Sequence, residues 1–509
     1  MSLEEQVDTT TQAPIIGHFI DGQEVVLDEQ TNDVYDPAVG EITKRVSLAS
    51  KTSIDRAITA SQNAFQSWRN TPPQKRARVM FRFKNLLDTH SDEICRLITS
   101  EHGKVLDDAR GELARGTEVV EYACGISELL KGEHSKNAGP DIDCWSEFQP
   151  LGVVTGITPF NFPAMVPMWM FPIAIACGNC FILKPSERDP STAMLLAKLL
   201  TEAGLPNGVF NVVNGDKNTV DTLIQDERIQ SVSFVGSTPI AESIYQRACN
   251  AGKRVQALGG AKNHVVIMPD ADIDNTVNAL MGAAYGSCGE RCMAISVAVC
   301  VTEDTADQLV KRLESRVKGL NIGPGTDITN DMGPLISIEA HSRVSSYLEQ
   351  GIAQNAELVV DGRDFSVKGH EKGFFIGGCL FDKVTEEMSI YQDEVFGPVL
   401  CVVRAKTLDE ALALINQHQY GNGGCIFTQD GGTARYFSDQ VMVGMVGINV
   451  ALPVPIATQS FGGWKRSMFG DLYVYGPDAI RFYTRRKTIT QKWPTRECAD
   501  KPKYSFPSD

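Results

Sequence analysis

Short apolar runs alternate with longer amphipathic segments from Leu151 onward, and this alternation predicts an α/β fold. Continuous apolar runs are typical of buried strands, whereas apolar residues spaced three and four apart indicate helices. Strands that alternate with helices along a chain pair in parallel and carry helices on both faces of the sheet. The predicted strands are residues 152–157, 181–183, 209–213 and 232–235, and the predicted helices are residues 192–203 and 240–251.

A second alternation begins near His264 and predicts a second α/β domain. Residues 264–268 form an apolar run typical of a strand, and residues 272–284 have helical spacing. The pattern continues through a helical segment at 408–418 and an apolar run at 425–428.

The segments outside these alternations have a different character. Residues 127–148 are polar and poorly periodic, while residues 481–490 alternate in a strand-like way. Together they predict an arm that pairs with another subunit. The sequence shows no recurring repeat or low-complexity tract, which disfavours solenoids and propellers.

Composition and charge exclude several classes of partner. The chain has 509 residues, of which 42% are apolar and 22% charged, as in an ordinary folded protein of several domains. Its formal net charge of −15 repels phosphate backbones and anionic lipids, so neither nucleic acid nor a membrane is expected as a partner.

The cysteines and the N-terminus favour a cytoplasmic location. Thirteen scattered cysteines, an odd number without framework spacing, indicate a reducing compartment. The first residues lack the basic start and apolar core of a signal peptide, and no run reaches the roughly 20 apolar residues of a membrane span.

Cys292 is the first candidate for chemistry. It ends the segment Gly286-Ser-Cys-Gly-Glu-Arg-Cys292, whose two glycines free the backbone beside a possible helix start. Backbone N–H groups at such a position favour a thiolate and can hold an oxyanion. The alternative is a small buried hydrophobic residue, which is the commoner role of a lone cysteine.

Asn161 is the second candidate. It lies in Thr158-Pro-Phe-Asn161-Phe-Pro163, at the end of the first strand of the alternating region. Open α/β sheets bind ligands outside the carboxyl ends of their strands, and a rigid amide donor there suits a developing negative oxygen. The alternative is a turn asparagine that bonds to its own backbone.

Two further strand ends fit a dinucleotide. Lys184 can bond ribose hydroxyls, and Glu187 beside it repels an additional 2′-phosphate, which favours NAD over NADP. Gly236 and Ser237 follow another strand and precede a helix whose N-terminus can hold pyrophosphate. No GxGxxG motif accompanies them, so this last signal is weak alone.

Other sequence features do not indicate a redox, metal or hydrolase site. Cys177 and Cys180 have redox-motif spacing, but they end an apolar run without a second pair and are interpreted as buried. The eight histidines show no metal-ligand spacing, so no metal is expected. The sequence has neither a GxSxG motif nor a P-loop, which disfavours serine hydrolases and P-loop kinases.

Taken together, five motifs occur in the order typical of the aldehyde dehydrogenase superfamily, which the chain resembles along nearly its whole length. The resemblance begins at Phe19-Ile-Asp-Gly and extends to the segment 476–488. The five motifs are Thr158-Pro-Phe-Asn161-Phe-Pro, Lys184-Pro-Ser-Glu187, Phe234-Val-Gly-Ser237-Thr, Gly289-Glu-Arg-Cys292 and Glu394-Val-Phe396-Gly-Pro-Val.

The resemblance implies a role for each candidate residue. Cys292 is the nucleophile, and the Asn161 amide faces the oxyanion together with the Cys292 backbone N–H. NAD is the implied cofactor, with Glu394 at the nicotinamide ribose and Phe396 against the nicotinamide. The other implied cofactor-binding residues are Phe160, Lys184, Glu187, Gly236 and Ser237.

The resemblance also implies a domain organisation and an assembly. It implies a Rossmann-like NAD-binding domain, an α/β catalytic domain and a β-arm that joins subunits into a homodimer or homotetramer. The implied boundaries are 1–125 and 149–256 for the NAD-binding domain, 257–455 for the catalytic domain, and 126–148 and 456–509 for the arm and C-terminal segment.

The chain departs from the superfamily at the residue that activates water in hydrolytic members. Their Glu-Leu-Gly-Gly-Lys segment reads Ala257-Leu-Gly-Gly-Ala-Lys-Asn-His264 here, which places Leu258 or Ala257 at the glutamate. Neither side chain accepts a proton, so the attack of water lacks a general base. Such a base typically raises the rate by about 10²- to 10⁴-fold. A thiol needs less help from a base, and coenzyme A is therefore the expected acyl acceptor.

The same segment, the string Arg291-Cys292-Met-Ala and the ending at 482–490 resemble the CoA-acylating methylmalonate-semialdehyde dehydrogenase branch. That branch converts malonate or methylmalonate semialdehyde, with NAD and CoA, into acetyl-CoA or propionyl-CoA, CO₂ and NADH. Arginine binds a substrate carboxylate bidentately, and Arg115 and Arg291 are the expected ligands. For Arg115 the alternative is a solvated ion pair on a helix.

Two substitutions are expected to act locally. Glu290 stands where the family commonly has Gln, and its charge is expected to raise the pKa of Cys292. Ala241 replaces a glycine in the helix after Gly236, so the packing of that helix is expected to differ slightly.

Three rival functions remain open on the sequence. The first is a hydrolytic semialdehyde dehydrogenase that uses another base, such as Glu290, and releases a free acid. The second is a non-catalytic NAD-binding or structural protein. The third is a thiol-dependent acyltransferase without redox chemistry, which Lys184, Glu187 and Glu394 together disfavour.

Overall fold

Two open α/β sheets form the centre of the molecule, as the sequence predicts. The structure is a computed structural model that describes residues 13–493. Residues 1–12 of the predicted NAD-binding domain and 494–509 of the predicted C-terminal segment, which include Cys498, lie outside the described residues. The twelve cysteines of the described part are free, and Cys177 and Cys180 are buried, as interpreted from the sequence.

Helices and strands alternate through most of the described chain. The helices are α1 Lys51–Trp68, α2 Pro73–Thr89, α3 Ser91–His102, α4 Leu106–Cys124, α5 Ile126–Leu129, α6 Met165–Ala176, α7 Ser191–Glu202, α8 Lys217–Gln225, α9 Thr238–Asn250, α10 Ile273–Tyr285, α11 Glu303–Lys318, α12 Ile338–Ala353, α13 Ser389–Gln392, α14 Leu408–Gln417, α15 Gly431–Gln440 and α16 Pro477–Phe482. The strands are β1 Ile15–Ile16, β2 His18–Ile20, β3 Gln23–Val25, β4 Thr31–Asp36, β5 Glu41–Ser47, β6 His134–Gly139, β7 Ile142–Pro150, β8 Val153–Ile157, β9 Cys180–Lys184, β10 Phe210–Val212, β11 Ile229–Val235, β12 Arg254–Leu258, β13 Asn263–Ile267, β14 Ile295–Val301, β15 Glu357–Val360, β16 Cys379–Asp382, β17 Val399–Ala405, β18 Tyr420–Gly421, β19 Gly423–Phe427, β20 Met445–Ile448, β21 Trp464–Lys465, β22 Met468–Phe469 and β23 Thr484–Lys492.

The first sheet has eight strands in the order β22-β12-β11-β8-β9-β10-β2-β3. Strands β12, β11, β8, β9 and β10 are parallel, and they include all four runs predicted in this region. The chain runs outward from β8 in one direction through β9 and in the other through β11. This change of direction creates a crevice at the carboxyl ends of β8 and β11, where α/β sheets bind ligands.

The second sheet has seven strands in the order β15-β16-β17-β14-β13-β19-β20. Six are parallel and only the edge strand β15 is antiparallel. The predicted strands at 264–268 and 425–428 correspond to β13 and β19, and the predicted helices at 272–284 and 408–418 correspond to α10 and α14. Strand β14 begins three residues after Cys292, which places the candidate nucleophile at the amino edge of this sheet.

The predicted arm is a separate three-stranded antiparallel sheet in the order β23-β7-β6. Most of its residues are exposed or half-buried, because the sheet covers little of the core. Its ability to join subunits stays a prediction, and so do the domain boundaries. None of the helices in the stretch from 13 to 493 is long and apolar enough to cross a membrane.

Candidate active site

A cavity of about 410 Å³ has the candidate nucleophile in its wall. Cys292 is half-buried there, and Arg115 and Arg291 line the same space. The predicted nucleophile and the two arginines predicted to bind the substrate carboxylate thus line one cavity. The apolar part of the wall consists of Phe162, Met165, Trp169, Met293, Leu452, Val454 and Phe461.

The loop that carries Cys292 is held in a tight left-handed turn. Ser287, Cys288 and Gly289 have φ values of 53°, 52° and 70°, a conformation that costs free energy for residues other than glycine. A Cβ on Gly289 would lie 2.1 Å from the Gly397 carbonyl oxygen, so only glycine fits. The Asp108 carboxylate accepts a hydrogen bond from the Ser287 N–H at 2.8 Å and fixes the start of the turn.

The surroundings of the Cys292 sulfur oppose its ionisation. Burial, and next the charge of Glu394, raise the pKa of the thiol to about 12. The backbone N–H groups of Cys292 and Met293 act in the opposite direction, because they bond to the charged sulfur. The thiolate therefore depends on these N–H groups.

Asn161 is tied to the nucleophile loop. Its side chain is buried, and its Nδ2 donates to the Glu290 carbonyl, two residues before Cys292, at 3.0 Å. The buried Lys104 ammonium donates to the Asn161 carbonyl at 2.6 Å and pairs with Glu112 at 2.8 Å. One amide hydrogen of Asn161 is thus engaged, and the second is available to an oxyanion.

Both cavity arginines already have carboxylate partners. Arg115 pairs with Glu118 at 2.7 Å and donates to the carbonyls of Val454 and Pro455. Arg291 pairs with Asp108 across the cavity wall. A substrate carboxylate that binds either guanidinium therefore competes with a protein carboxylate.

The predicted adenosine-ribose residues lie together at the end of β9. Lys184 Nζ donates to the Glu187 carboxylate at 2.8 Å. Burial works against ionisation of Glu187, but the charge and hydrogen bond of Lys184 outweigh it and lower the carboxyl pKa. The two residues predicted to bond ribose hydroxyls are thus held side by side.

The predicted pyrophosphate residues follow β11 at the crevice of the first sheet. Ser237 is the N-cap of α9, is exposed, and makes no side-chain bond to its own helix. Its hydroxyl and the first N–H groups of the helix are therefore available to an anion. Ala241, one turn further on, is fully buried against Phe234 and Ile244, so the helix packs closely despite the added methyl group.

Among the predicted nicotinamide residues, Glu394 is close enough for its charge to act on the Cys292 thiol. The Glu394 carboxylate accepts a hydrogen bond from the Ala261 N–H at 3.0 Å, and burial raises its pKa to about 7. A Cβ on Gly260 would lie 2.3 Å from Glu394 Oε2, so a larger residue there would displace the carboxylate. Phe160 and Phe396 meet edge to face with ring centroids 6.0 Å apart.

The structure corrects the expectation for Glu290. Its side chain is fully buried, accepts a hydrogen bond from the Ile336 N–H at 3.2 Å, and lies 3.9 Å from His102 rather than in the wall of the cavity. The carboxylate that opposes ionisation of Cys292 is Glu394, not Glu290. Burial raises the pKa of Glu290 to about 8, which keeps it protonated at neutral pH.

No carboxylate occupies the position of the hydrolytic base. Ala257 and Leu258 form the buried end of β12 and belong to apolar clusters. The carboxylates in the cavity wall beside Cys292 include Glu112 and Asp108, and both are already bound by lysine or arginine. Within residues 13–493, no cluster of three or more His, Cys, Asp and Glu side chains is placed to hold a metal ion.

The sequence motifs assign no role to several residues near the nucleophile. Asn263 and Asn422 both donate to the Cys292 carbonyl, and Arg343 donates to the carbonyls of Val395 and Phe396. Lys104 lies among charged residues in the sequence, so its burial is evident only in the structure, and the two asparagines meet only through the pairing of the strands beside them.

The fold and the site together define the class of the protein. The chain belongs to the aldehyde dehydrogenase family, whose model matches residues 25–489. The family and the aldehyde-dehydrogenase-like α/β fold predicted from the sequence are thereby confirmed.

Individual relatives resemble the chain over almost its whole length. The malonate-semialdehyde dehydrogenase of Pseudomonas aeruginosa is 62% identical over 491 residues, which cover 96% of this chain and 99% of the relative. The crystal structure of the methylmalonate-semialdehyde dehydrogenase of Oceanimonas doudoroffii has a TM-score of 0.94 and 63% identity, and the match covers 95% of this chain and 99% of that one. A Sinorhizobium meliloti structure, provisionally named a methylmalonate-semialdehyde dehydrogenase and complexed with NAD, has a TM-score of 0.94 and 54% identity, with the same shares covered.

Proposed function

We propose that this protein is an NAD-dependent, CoA-acylating dehydrogenase that oxidises malonate or methylmalonate semialdehyde. The observation that carries the proposal is the cavity in which Cys292 faces two arginines while apolar residues fill the position of the hydrolytic base. The similarity to relatives with these names supports the choice of substrate. The products are acetyl-CoA or propionyl-CoA, CO₂ and NADH.

The residues at the strand ends fit NAD. Lys184 and Glu187 would hold the adenosine ribose, the start of α9 at Gly236 and Ser237 would hold the pyrophosphate, and Glu394 would hold the nicotinamide ribose. The rings of Phe160 and Phe396, which meet edge to face, would contact the nicotinamide. When bound, NAD⁺ supplies the hydride acceptor. The exposed Ser237 hydroxyl, unused by its own helix, is the feature of the structure that fits this cofactor.

Attack by the Cys292 thiolate forms a carbon–sulfur bond to the aldehyde and leaves a negative oxygen. The free hydrogen of the Asn161 amide and the Cys292 N–H stabilise that oxygen. Loss of hydride converts the adduct into a thioester on Cys292, while Arg115 and Arg291 hold the substrate carboxylate. CO₂ leaves, the α-carbon gains a proton, and the CoA thiolate displaces the Cys292 thiolate to release the acyl-CoA.

The dependence of turnover on CoA tests this proposal. Mixing enzyme, NAD⁺ and semialdehyde without CoA is expected to give one equivalent of NADH per site and then a rate at least 100-fold below that with CoA, because water lacks its base. Mass spectrometry of the products from each semialdehyde identifies the acyl-CoA. Steady turnover without CoA at the full rate contradicts the proposal.

One observation favours hydrolysis as the second candidate. Glu394 has a pKa raised to about 7 and acts on Cys292, so it could take a proton from water. If it does, Glu394→Gln abolishes a free-acid product that the unchanged protein forms without CoA. If Glu394 binds ribose instead, the substitution weakens NAD binding and leaves the product an acyl-CoA.

We also infer that the sheet β23-β7-β6 joins subunits into a homodimer or homotetramer in the cytoplasm. The sheet leaves both edge strands unpaired within the described chain, and exposed strand edges pair readily with another chain.

A further inference from the structure

Two asparagine side chains bind the main-chain carbonyl of the nucleophile. Asn263 Nδ2 donates to the Cys292 carbonyl oxygen at 2.9 Å, and Asn422 Nδ2 donates to the same oxygen at 3.0 Å. A carbonyl oxygen has two lone pairs, so these amides satisfy it completely. Asn263 belongs to the segment 257–264 that distinguishes the chain from hydrolytic members, but that resemblance assigns it no role, and Asn422 lies outside the quoted motifs.

The topology of the second sheet explains why the three residues meet. Strands β14, β13 and β19 are parallel neighbours, and parallel strands begin at the same edge of a sheet. Cys292 lies just before β14, Asn263 is the first residue of β13, and Asn422 immediately precedes β19. The two asparagine side chains therefore lie at the amino edge of the second sheet, next to the loop that carries Cys292.

The Asn263 amide is locked in the orientation that donates to Cys292, and the Asn422 Nδ2 also contacts Met293 Sδ at 3.0 Å. Asn263 Oδ1 accepts from the Gly423 N–H at 3.0 Å, which leaves its Nδ2 to donate to Cys292 and also to Ala294 at 3.0 Å. Both asparagines are buried, so water cannot easily replace either donor.

The carbonyl they bind is electronically linked to the sulfur. The Cys292 carbonyl and the Met293 N–H belong to one peptide group, and hydrogen bonding from that N–H lowers the pKa of the Cys292 thiol. Donors on the oxygen of a peptide polarise it and strengthen the N–H as a donor. The two amides thus act on the thiolate through the 292–293 peptide.

We propose that Asn263 and Asn422 are positioning residues that fix the 292–293 peptide and strengthen the N–H that stabilises the Cys292 thiolate. The proposal rests on the proposed role of Cys292 as the nucleophile, but it is independent of whether CoA or water accepts the acyl group. It explains how a sulfur in a buried setting, opposed by Glu394, remains reactive.

Alkylation of Cys292 as a function of pH tests this inference without substrate. Asn263→Leu and Asn422→Leu keep the approximate shape of the side chain and remove the donor. Each is expected to lower the rate of iodoacetamide labelling at Cys292 by about 3- to 10-fold at pH 8 and to move the labelling midpoint to higher pH. Peptide mapping by mass spectrometry separates Cys292 from the exposed Cys249, whose rate serves as an internal reference.

Asn179→Leu is the matched control. Asn179 is equally buried and donates to two carbonyls, those of Ala174 and Tyr483, both at 3.0 Å, but it does not line the Cys292 cavity. Its substitution is expected to lower Tm and to leave the Cys292 labelling profile unchanged. A profile unchanged in folded Asn263→Leu and Asn422→Leu, or shifted equally by Asn179→Leu, overturns the inference.

Two further variants cover the case in which a leucine variant does not fold. Asn422→Ser and Asn263→Ser are smaller and remain polar, yet their hydroxyls are too short to reach the Cys292 carbonyl. A labelling shift in these variants supports the inference even if CoA proves unnecessary for turnover, which would refute only the proposed acceptor. Normal labelling in the folded serine variants contradicts the inference.

Discussion

At the scale of single residues, the site works by competition between charges. Arg115 and Arg291 are paired with Glu118 and Asp108, and the Cys292 sulfur is opposed by Glu394. In the proposed reaction, the carboxylate of the semialdehyde replaces a protein carboxylate at one of the arginines. The positive charge of that arginine therefore stays neutralised before and after binding. An aldehyde without a carboxylate gains nothing from the arginines.

Arg115→Met is expected to raise KM for malonate semialdehyde by about 10- to 100-fold, because a charge-assisted hydrogen bond to the substrate is lost. The KM for propanal, which has no carboxylate, is expected to change little. Steady-state NADH formation with both aldehydes measures the ratio. Arg110→Met, an exposed arginine on the same helix that pairs with Asp107, is the control, and an equal effect on both aldehydes would contradict the assignment.

Glu290→Gln is expected to stabilise the protein at alkaline pH. The folded-state pKa of Glu290 is about 8, above its ordinary value of 4.5, so between these values the unfolded chain is ionised while the folded protein keeps the proton. Stability contributed by this group is therefore lost as pH rises from about 4.5 to 8. A thermal melt of the Glu290→Gln variant should show a higher Tm at pH 8 and no difference at pH 4.5; the opposite order would contradict the burial of a protonated carboxyl.

At the scale of elements, the pair Lys104 and Glu112 connects α4 to the loop that carries Asn161. Glu112 accepts hydrogen bonds from the N–H groups of Ala164 and Met165, the residues that start α6, while Lys104 holds the Asn161 carbonyl. One buried ion pair thus fixes both a helix start and the candidate oxyanion donor.

Lys104→Met is expected to lower the free energy of unfolding by about 3 to 5 kcal/mol, because it leaves Glu112 buried and unpaired. Adding Glu112→Gln is expected to restore part of that loss. Urea denaturation measures both, and Lys84→Met, which breaks the exposed pair with Asp88, is the control with little change. Additive losses in the double variant would show that the two side chains act separately.

The sequence predicted the central strands because parallel strands buried on both faces read as continuous apolar runs. Strands β2, β3 and β22, which pair antiparallel at the sheet edges, are two or three residues long and carry no such run. Asn161, Lys184 and Ser237 followed from motifs at strand ends, whereas the joint role of Cys292, Arg115 and Arg291 followed from the family resemblance. The direction of the Glu290 side chain and the meeting of Asn263 with Asn422 depend on packing between distant strands, which residue patterns do not encode.

At the scale of the whole molecule, the arm is expected to decide the assembly. Ile489, Trp145 and His134 lie side by side across its three strands and form one face. Ile489→Lys is expected to shift the mass measured by light scattering toward that of a monomer, because a charge disrupts an apolar contact face. Thr490→Lys, the next residue along the strand and so on the opposite face, is the control, and an unchanged mass in Ile489→Lys would place the subunit contact elsewhere.

Helix α6 has all twelve of its residues buried, so no side of it meets solvent. Its amide hydrogens can exchange with deuterium only when the surrounding domain opens as a unit. Helix α6, which follows Asn161, is therefore expected to stay closed during a reaction cycle, and the motion that admits substrates and releases products is expected in more exposed segments around the cavity.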